Sequence, residues 1–267
     1  MLTNPVIEAM LNRRSVRKYT NQKPTDEVLE IIVRAGQQAP FAAQLCSLLL
    51  TRKKAPFGAS LWFTICVDMH RMELIMERRG WKVVANNLSM LFFGIQDAAL
   101  MSENMVMAAE SLGMGSCFLR NTPYRAGQIQ KRYKLPKRVL PLVELVMGYP
   151  AEDFPTRPRY PLEFTLFEDR YPEMTDEMVE RAMKAMDEGY LAQDYYHKQR
   201  AKIKLKALAR RPSPTTTTPG RSISHASGGS GWGTHASCWP RWKRAALQLT
   251  EVGERHMRTG NRAGNRA

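Results

Sequence analysis

The chain has 267 residues, 43% of them hydrophobic and 24% charged, with a formal net charge of +15 at pH 7. That length holds one domain of about 200 residues with a substantial core, plus an appendage. No run of roughly 18 apolar residues occurs, so the expectation is a cytoplasmic protein with no membrane partner. Residues 207–267 carry ten Lys/Arg and two Asp/Glu, a net of +8 that leaves +7 on the first 206 residues. With more than half of the excess charge in that segment and no aromatic–basic motif beside it, a nucleic-acid partner is not expected.

Val6, Ile7, Met10 and Leu11 predict a short helix, followed at once by Arg13-Arg14-Ser15-Val16-Arg17. As composition, such a run is a solvated basic face. As a ligand site, three guanidiniums and a hydroxyl suit a single ordered phosphate, because each planar fork of donors matches phosphate oxygens two at a time. Pro24-Thr25-Asp26 reads as a helix start with Thr25 or Asp26 as N-cap, and Val28, Leu29, Ile32 and Val33 form its apolar face up to Ala35-Gly36. The loop Ala39-Pro40-Phe41-Ala42-Ala43-Gln44 comes next.

Leu61 to Val67 predicts a buried strand, and a polar connection runs through Arg78-Arg79-Gly80-Trp81. The stretch 78–91 reads either as a lid or as a dimer contact. From Asp97 to Leu112 the spacing of Ala98, Met101, Met105, Ala108, Ala109 and Leu112 predicts a helix stopped by Gly113, its Met-rich stripe being core or a subunit interface. Ser116 to Leu119 is a short strand, Pro123 to Tyr133 a helix ended by Leu135-Pro136, and Leu140 to Pro150 a strand closed by Gly-Tyr-Pro. The prolines of 151–172 mark an extended arm, and a last amphipathic helix spans Thr175 to about Arg200. Few hairpin signals and strands alternating with helices give α/β or α+β with one central sheet. Cys46, Cys66, Cys117 and Cys238 lack C-x-x-C spacing, which argues against a zinc site, an iron–sulfur cluster or a disulfide framework.

Three motifs, in this order, resemble the FMN-dependent nitroreductase family. R-R-S-V-R (13–17), with the helix and loop after it, resembles that family's R-[RH]-S-x-[RK] element and A-P-S-x-x-N-x-Q loop. D-A-A-L-M-S-E-N-M-V-M-A-A-E-S-L-G-M-G-S-C-F-L (97–119) resembles its central dimer helix and the segment along the flavin, and L-P-L-V-E-L-V-M-G-Y-P (140–150) its last core strand. The resemblance covers residues 5–205. It implies an α+β three-layer sandwich with a mostly antiparallel central sheet flanked by helices, assembled as a homodimer around FMN, with NADH or NADPH as electron donor and a small organic acceptor. By the same resemblance Arg13, Arg14, Ser15 and Arg17 hold the phosphate and ribityl chain, and Gln44 lies near the ring or ribityl chain. Phe118 and Leu119 supply backbone along the ring, with Arg120 beside it, and no catalytic side chain is required. The implied activity is a nitroreductase-like flavin oxidoreductase. Alternatives on the same fold are a flavin-binding protein with little turnover, or a reductive dehalogenase-like or dehydrogenase member.

The chain departs from the family pattern at Arg120-Asn121, where Gly-Gly is common, and at Phe41 and Leu45-Cys46-Ser47 in the first loop. Residues 1–206 are read as the FMN-binding domain and 207–267 as an irregular basic tail. Codons regrouped one frame over from Thr218 to Gly228 permit S-W-S-E-H-I-S-R-K-W-G, which resembles the family's C-terminal W-S-E-H-I-S-R-K-x-G. That compatibility makes the tail an expected out-of-frame translation of the segment supplying a last basic contact to the flavin phosphate.

Overall fold

Four strands, each bordered by helices, make one antiparallel sheet in a computed structural model that describes residues 2–82, 84 and 86–195. The tail 207–267, with Cys238, and the last predicted helical residues up to Arg200 lie outside the described residues. Among those described, no helix is long and apolar enough to cross a membrane.

The chain begins with α1 (Pro5–Asn12), capped by the Asn4 side chain, and α2 (Asp26–Gln37), capped by the Thr25 hydroxyl accepting from the Val28 amide. Both starts satisfy amides that would otherwise lack partners. Then come β1 (Cys46–Thr51), β2 (Leu61–Asp68), α3 (His70–Arg78), α4 (Asn87–Ser111), β3 (Gly115–Leu119), α5 (Thr122–Tyr133) and β4 (Val139–Gly148). The strand order is β1-β2-β4-β3 and every pairing is antiparallel, which settles the class as α+β. β2 and β3 are joined by the α3–α4 connection, and β4 slots between them.

Three sequence readings need correction. The loop after Gln44 does not continue through Ser47, because Cys46–Thr51 form an edge strand in register with Thr51↔Trp62 through Cys46↔Val67. The stretch before Arg78 is the helix α3 and not a polar connection. The long helix starts at Asn87, ten residues before Asp97, with the Asn86 side chain accepting from the Ser89 amide. Its first turns carry exposed Leu88, Phe92 and Phe93, so an apolar/polar contrast that would betray a helical period is missing there. Leu112, the last residue of the Met-rich stripe, is exposed at the C-cap.

One sheet face carries Leu61, Phe63, Ile65, Leu145 and Met147 and packs against Ile32 of α2 and Ala98, Met105 and Ala109 of α4. The opposite face carries Trp62, Cys117 and Val146, packed with Val16, Tyr19 and Ala59. Arg132 of α5 stacks over Trp62 with its guanidinium carbon 4.7 Å from the ring centroid. Helices on one side and α5 with the 13–20 segment on the other give the three layers. Arg138, in the left-handed region at φ 73°, donates to Glu73 at 2.7 Å and Asn87 at 2.9 Å, and so ties β4 to α3 and α4.

Gly113 stops α4 with φ 75°. Gly94 has another role: a Cβ there would lie 2.4 Å from Val67 Cγ1 and 3.3 Å from Leu45 Cβ, two fully buried side chains. Ala is the better helix former by about 1 kcal/mol, yet overpacking costs about 1–3 kcal/mol and outweighs it. Gly94→Ala is therefore expected to destabilise the protein by up to about 2 kcal/mol in urea titration, and a gain in stability would overturn this close-approach account.

A second unit, described from Phe154 to Tyr195, is the proline-rich arm with a 3-10 turn at Leu162–Phe164 and α6 (Asp176–Ala192), capped by Thr175. The arm folds back on α6: Pro158 packs against Gly189, Glu163 pairs with Arg181 at 3.2 Å, and Arg157 lies over the Tyr195 ring.

Candidate functional site

Residues 13–20 form an extended segment stitched to the sheet. The Val16 amide donates to the Ser116 carbonyl at 2.9 Å, Ser15 and Ser116 form a parallel bridge, and Tyr19 bridges Pro150. Buried Val16 and Tyr19 anchor it, and the Tyr19 phenol donates to the Val16 carbonyl at 2.8 Å. Anchoring those two leaves Arg13, Arg14, Ser15 and Arg17 half-buried along the β3 edge. The Arg13 guanidinium sits 5.9 Å from the centre of the Phe118 ring, and Arg14 pairs with Asp153 at 2.5 Å. Thus the fold brings the basic cluster and Phe118 together.

Leu119 and Arg120 follow on β3 and at its exposed end. Their position is set from beneath by Thr122, whose hydroxyl donates to the Leu119 carbonyl at 2.9 Å and accepts from the Glu144 amide at 2.8 Å. Glu144 is buried, with Arg125 3.8 Å away. Burial pushes its carboxyl above the usual range, and Arg125 pulls it part of the way back.

Gln44 is elsewhere. Its loop is clamped by Asp97, whose buried carboxylate accepts from the amides of Ala42 (2.6 Å), Ala43 (3.1 Å) and Leu45 (2.9 Å). The clamp holds Gln44 in the left-handed region at φ 52°, a conformation an L-residue keeps only when its surroundings fix it. Beside it lies a cavity of about 240 Å³ lined by Phe41, Gln44, Cys46, Arg71, Asp97 and Met101. Arg71 reaches Asp68 at 2.9 Å and the Cys46 carbonyl. Cys46 lies with its sulfur 3.3 Å from that of Met101. Burial, followed by Asp97, pushes the Cys46 thiol up, so it is no ready nucleophile at neutral pH.

Along α4, Asp97 and Glu110 are thirteen residues apart, about 20 Å at 1.5 Å per residue. Glu110 is the end that faces Arg13 and Arg14. Gln44 and the basic cluster of one chain are therefore far beyond hydrogen-bond reach of each other. Sequence reading missed Asp97 and Glu110 as site residues, although each is a lone carboxylate inside an apolar helical stretch, G-I-Q-D-A-A-L and M-A-A-E-S-L. Such a group needs partners, and that need was the available signal.

This layered fold, an antiparallel sheet with a basic segment along its β3 edge, defines an α+β class. A sequence model of the nitroreductase family matches residues 10–55 and 47–149, more than half of the chain, and the chain belongs to that family. The FMN reductase (NADPH) of Bacillus subtilis strain 168 is 28% identical over 214 residues, covering 73% of this chain and 85% of that protein. The oxygen-insensitive NADPH nitroreductase of Salmonella typhimurium is 28% identical over 205 residues, covering 70% and 83%. In three dimensions the chain is similar to the NADPH:FMN oxidoreductase from Vibrio harveyi complexed with NAD+, with a TM-score of 0.65, 25% identity, and coverage of 74% of this chain and 93% of that one.

Proposed function

We propose that the chain is an NAD(P)H-dependent flavin oxidoreductase that holds FMN and passes a hydride to a small organic acceptor, a nitroaromatic, quinone or similar compound. The observation carrying this reading is the pinned segment Arg13–Arg17 beside Ser116, whose hydroxyl is fully buried and has no hydrogen-bond partner. A phosphate-bearing ligand at that edge meets the guanidinium forks of the half-buried arginines and the Ser15 hydroxyl. The relatives named FMN reductase and NADPH nitroreductase support the assignment.

FMN, when bound, supplies the two-electron chemistry between the pyridine nucleotide and the acceptor. The protein binds and orients. Arg13, Arg17 and the Ser15 hydroxyl take the phosphate and ribityl chain, with Arg14 beside them. Phe118 and Leu119 offer backbone along the ring, and Arg120 adds positive charge next to it. Residues 1–206 form the FMN-binding domain in this reading, and 207–267 lie outside it.

Assembly is a homodimer in which a second copy brings its Gln44 loop to the ring. The rise of about 20 Å along α4 from Asp97, which holds that loop, to Glu110, at the end near the basic cluster, supports this, as do the exposed Leu88, Phe92, Phe93 and Leu100 on α4 and Val6, Met10 and Leu11 on α1. Contiguous apolar residues on a surface are usually covered by a partner.

One experiment tests the reading: the full chain is incubated with FMN, passed through gel filtration with light scattering and flavin absorbance, and the protein peak is treated with NADH or NADPH. A flavin-bearing species of twice the chain mass whose absorbance bleaches is expected. Bound flavin that neither donor bleaches would replace the oxidoreductase with a flavin-binding protein of little turnover, and a colourless monomer would sink the reading.

A further inference from the structure

We propose that Glu110 is the internal counter-ion of the Arg13–Arg17 cradle, and that a phosphate entering the cradle displaces its charge, so that cofactor binding takes up one proton. This rests on the assignment of FMN phosphate to that cradle.

Glu110 lies in the last turn of α4 (Asn87–Ser111), where the helix reaches β3 and the pinned segment. Its Oε1 is buried without a hydrogen-bond partner, and so is the hydroxyl of Ser116, the residue that bridges Ser15. Ser116 faces the carboxyl without reaching bonding geometry. Arg13 and Arg14 of the pinned segment act on it electrostatically without an ion pair to it, and Arg14 is engaged by Asp153. The other groups that act on this corner are Glu103 of the same helix and the Tyr19 phenol. Glu110 is thus a carboxyl with one buried, unbonded oxygen that feels the charge of the cradle without an ion pair to it.

Burial pushes this carboxyl up to about 7, Arg13, then Arg14 and the facing Ser116 hydroxyl hold it back from rising further, and Glu103 adds to the rise. A phosphate dianion on the same guanidiniums removes what holds it down and adds a like charge beside it, so its proton affinity rises further on binding. The sign follows. Above pH 7 the free protein has Glu110 ionised, and binding must bring in a proton, so affinity weakens as pH rises from 7 to 9. Below pH 6 Glu110 is already protonated and no uptake occurs. A phosphate monoester has its second pKa near 6, so at pH 8 the ligand itself is already a dianion and contributes no proton change.

Calorimetric titration of the full chain with FMN at pH 8, in two non-phosphate buffers of different ionisation enthalpy, measures the proton count directly. Uptake approaching one proton per FMN is expected, with none for riboflavin, which lacks the phosphate. For Glu110→Gln the uptake should vanish, and the FMN affinity should stay level between pH 7 and 9 while that of the wild type falls by up to about tenfold per unit. FMN binding without proton uptake, or uptake persisting in Glu110→Gln, would overturn the Glu110 proposal and leave the cradle assignment standing. Equal affinity for FMN and riboflavin, or no FMN binding, would overturn both. Should Glu110→Gln fail to fold, Glu110→Ser, which also removes the carboxyl, takes its place under the same criteria.

Discussion

Replacing Asp97 with alanine is expected to cost about 3 kcal/mol of folding stability, a large share of the roughly 5–15 kcal/mol a domain of this kind possesses. Asp97 is 2% exposed and accepts three backbone amides from the Ala42–Leu45 turn. Without it the Leu45 amide stays buried and unpaired, a penalty of about 1–3 kcal/mol. The amides of Ala42 and Ala43, nearer the surface, recover part of their loss through water. Gln44, held at φ 52° by this clamp, is then released to an ordinary backbone conformation. Asparagine keeps one acceptor but turns an NH₂ toward the amide donors, so Asp97→Asn should fall between the two. Urea titration monitored by tryptophan fluorescence measures this, and an alanine variant within about 0.5 kcal/mol of wild type would show that the clamp is dispensable.

Arg13→Ala is expected to weaken FMN binding by about 10- to 100-fold, the worth of one charge-assisted, forked contact at about 1.5–3 kcal/mol. Riboflavin affinity should change less than about twofold, since the lost partner is the phosphate. Arg14→Ala should matter less, because Arg14 is already paired with Asp153 and must give up that pair to serve a phosphate. Flavin fluorescence quenching on both ligands separates the cases. Equal weakening of FMN and riboflavin by Arg13→Ala would place Arg13 at the ring, over Phe118, and not at the phosphate.

The elements legible from sequence were those whose signals are local. The α2 helix declared itself through the Thr25 cap and the Val28, Leu29, Ile32, Val33 face; α5 through Pro123 at its start and the Leu135-Pro136 stop; β2 and β4 through the apolar runs Leu61–Val67 and Leu140–Pro150. What escaped lacked a local signal or had a misleading one. α3 has no side-chain N-cap and follows β2 directly, so its start is dictated by the strand before it. The first turns of α4 are apolar on the outward face as well as the inward one, and their helical period is invisible. β1 was hidden because Leu45–Cys46–Ser47 was read against the family's loop, although Leu48-Leu49-Leu50 marked a strand.

The candidate site divides in the same way. The sequence alone determined that Arg13, Arg14, Ser15 and Arg17 form an anion-suited cluster and, through the order of three motifs, the family to which the chain belongs, because residue type and spacing along a few neighbouring positions suffice for that. Only the tertiary structure decided which groups share a corner: that Val16 and Tyr19 pin the cluster to β3, that Phe118 and Glu110 face it, and that Asp97 holds Gln44 some thirteen helical residues away. Those relations depend on which strand edge is open and which helix crosses it. They are long-range facts, fixed when the sheet closes β4 between β2 and β3 and α4 is laid across it.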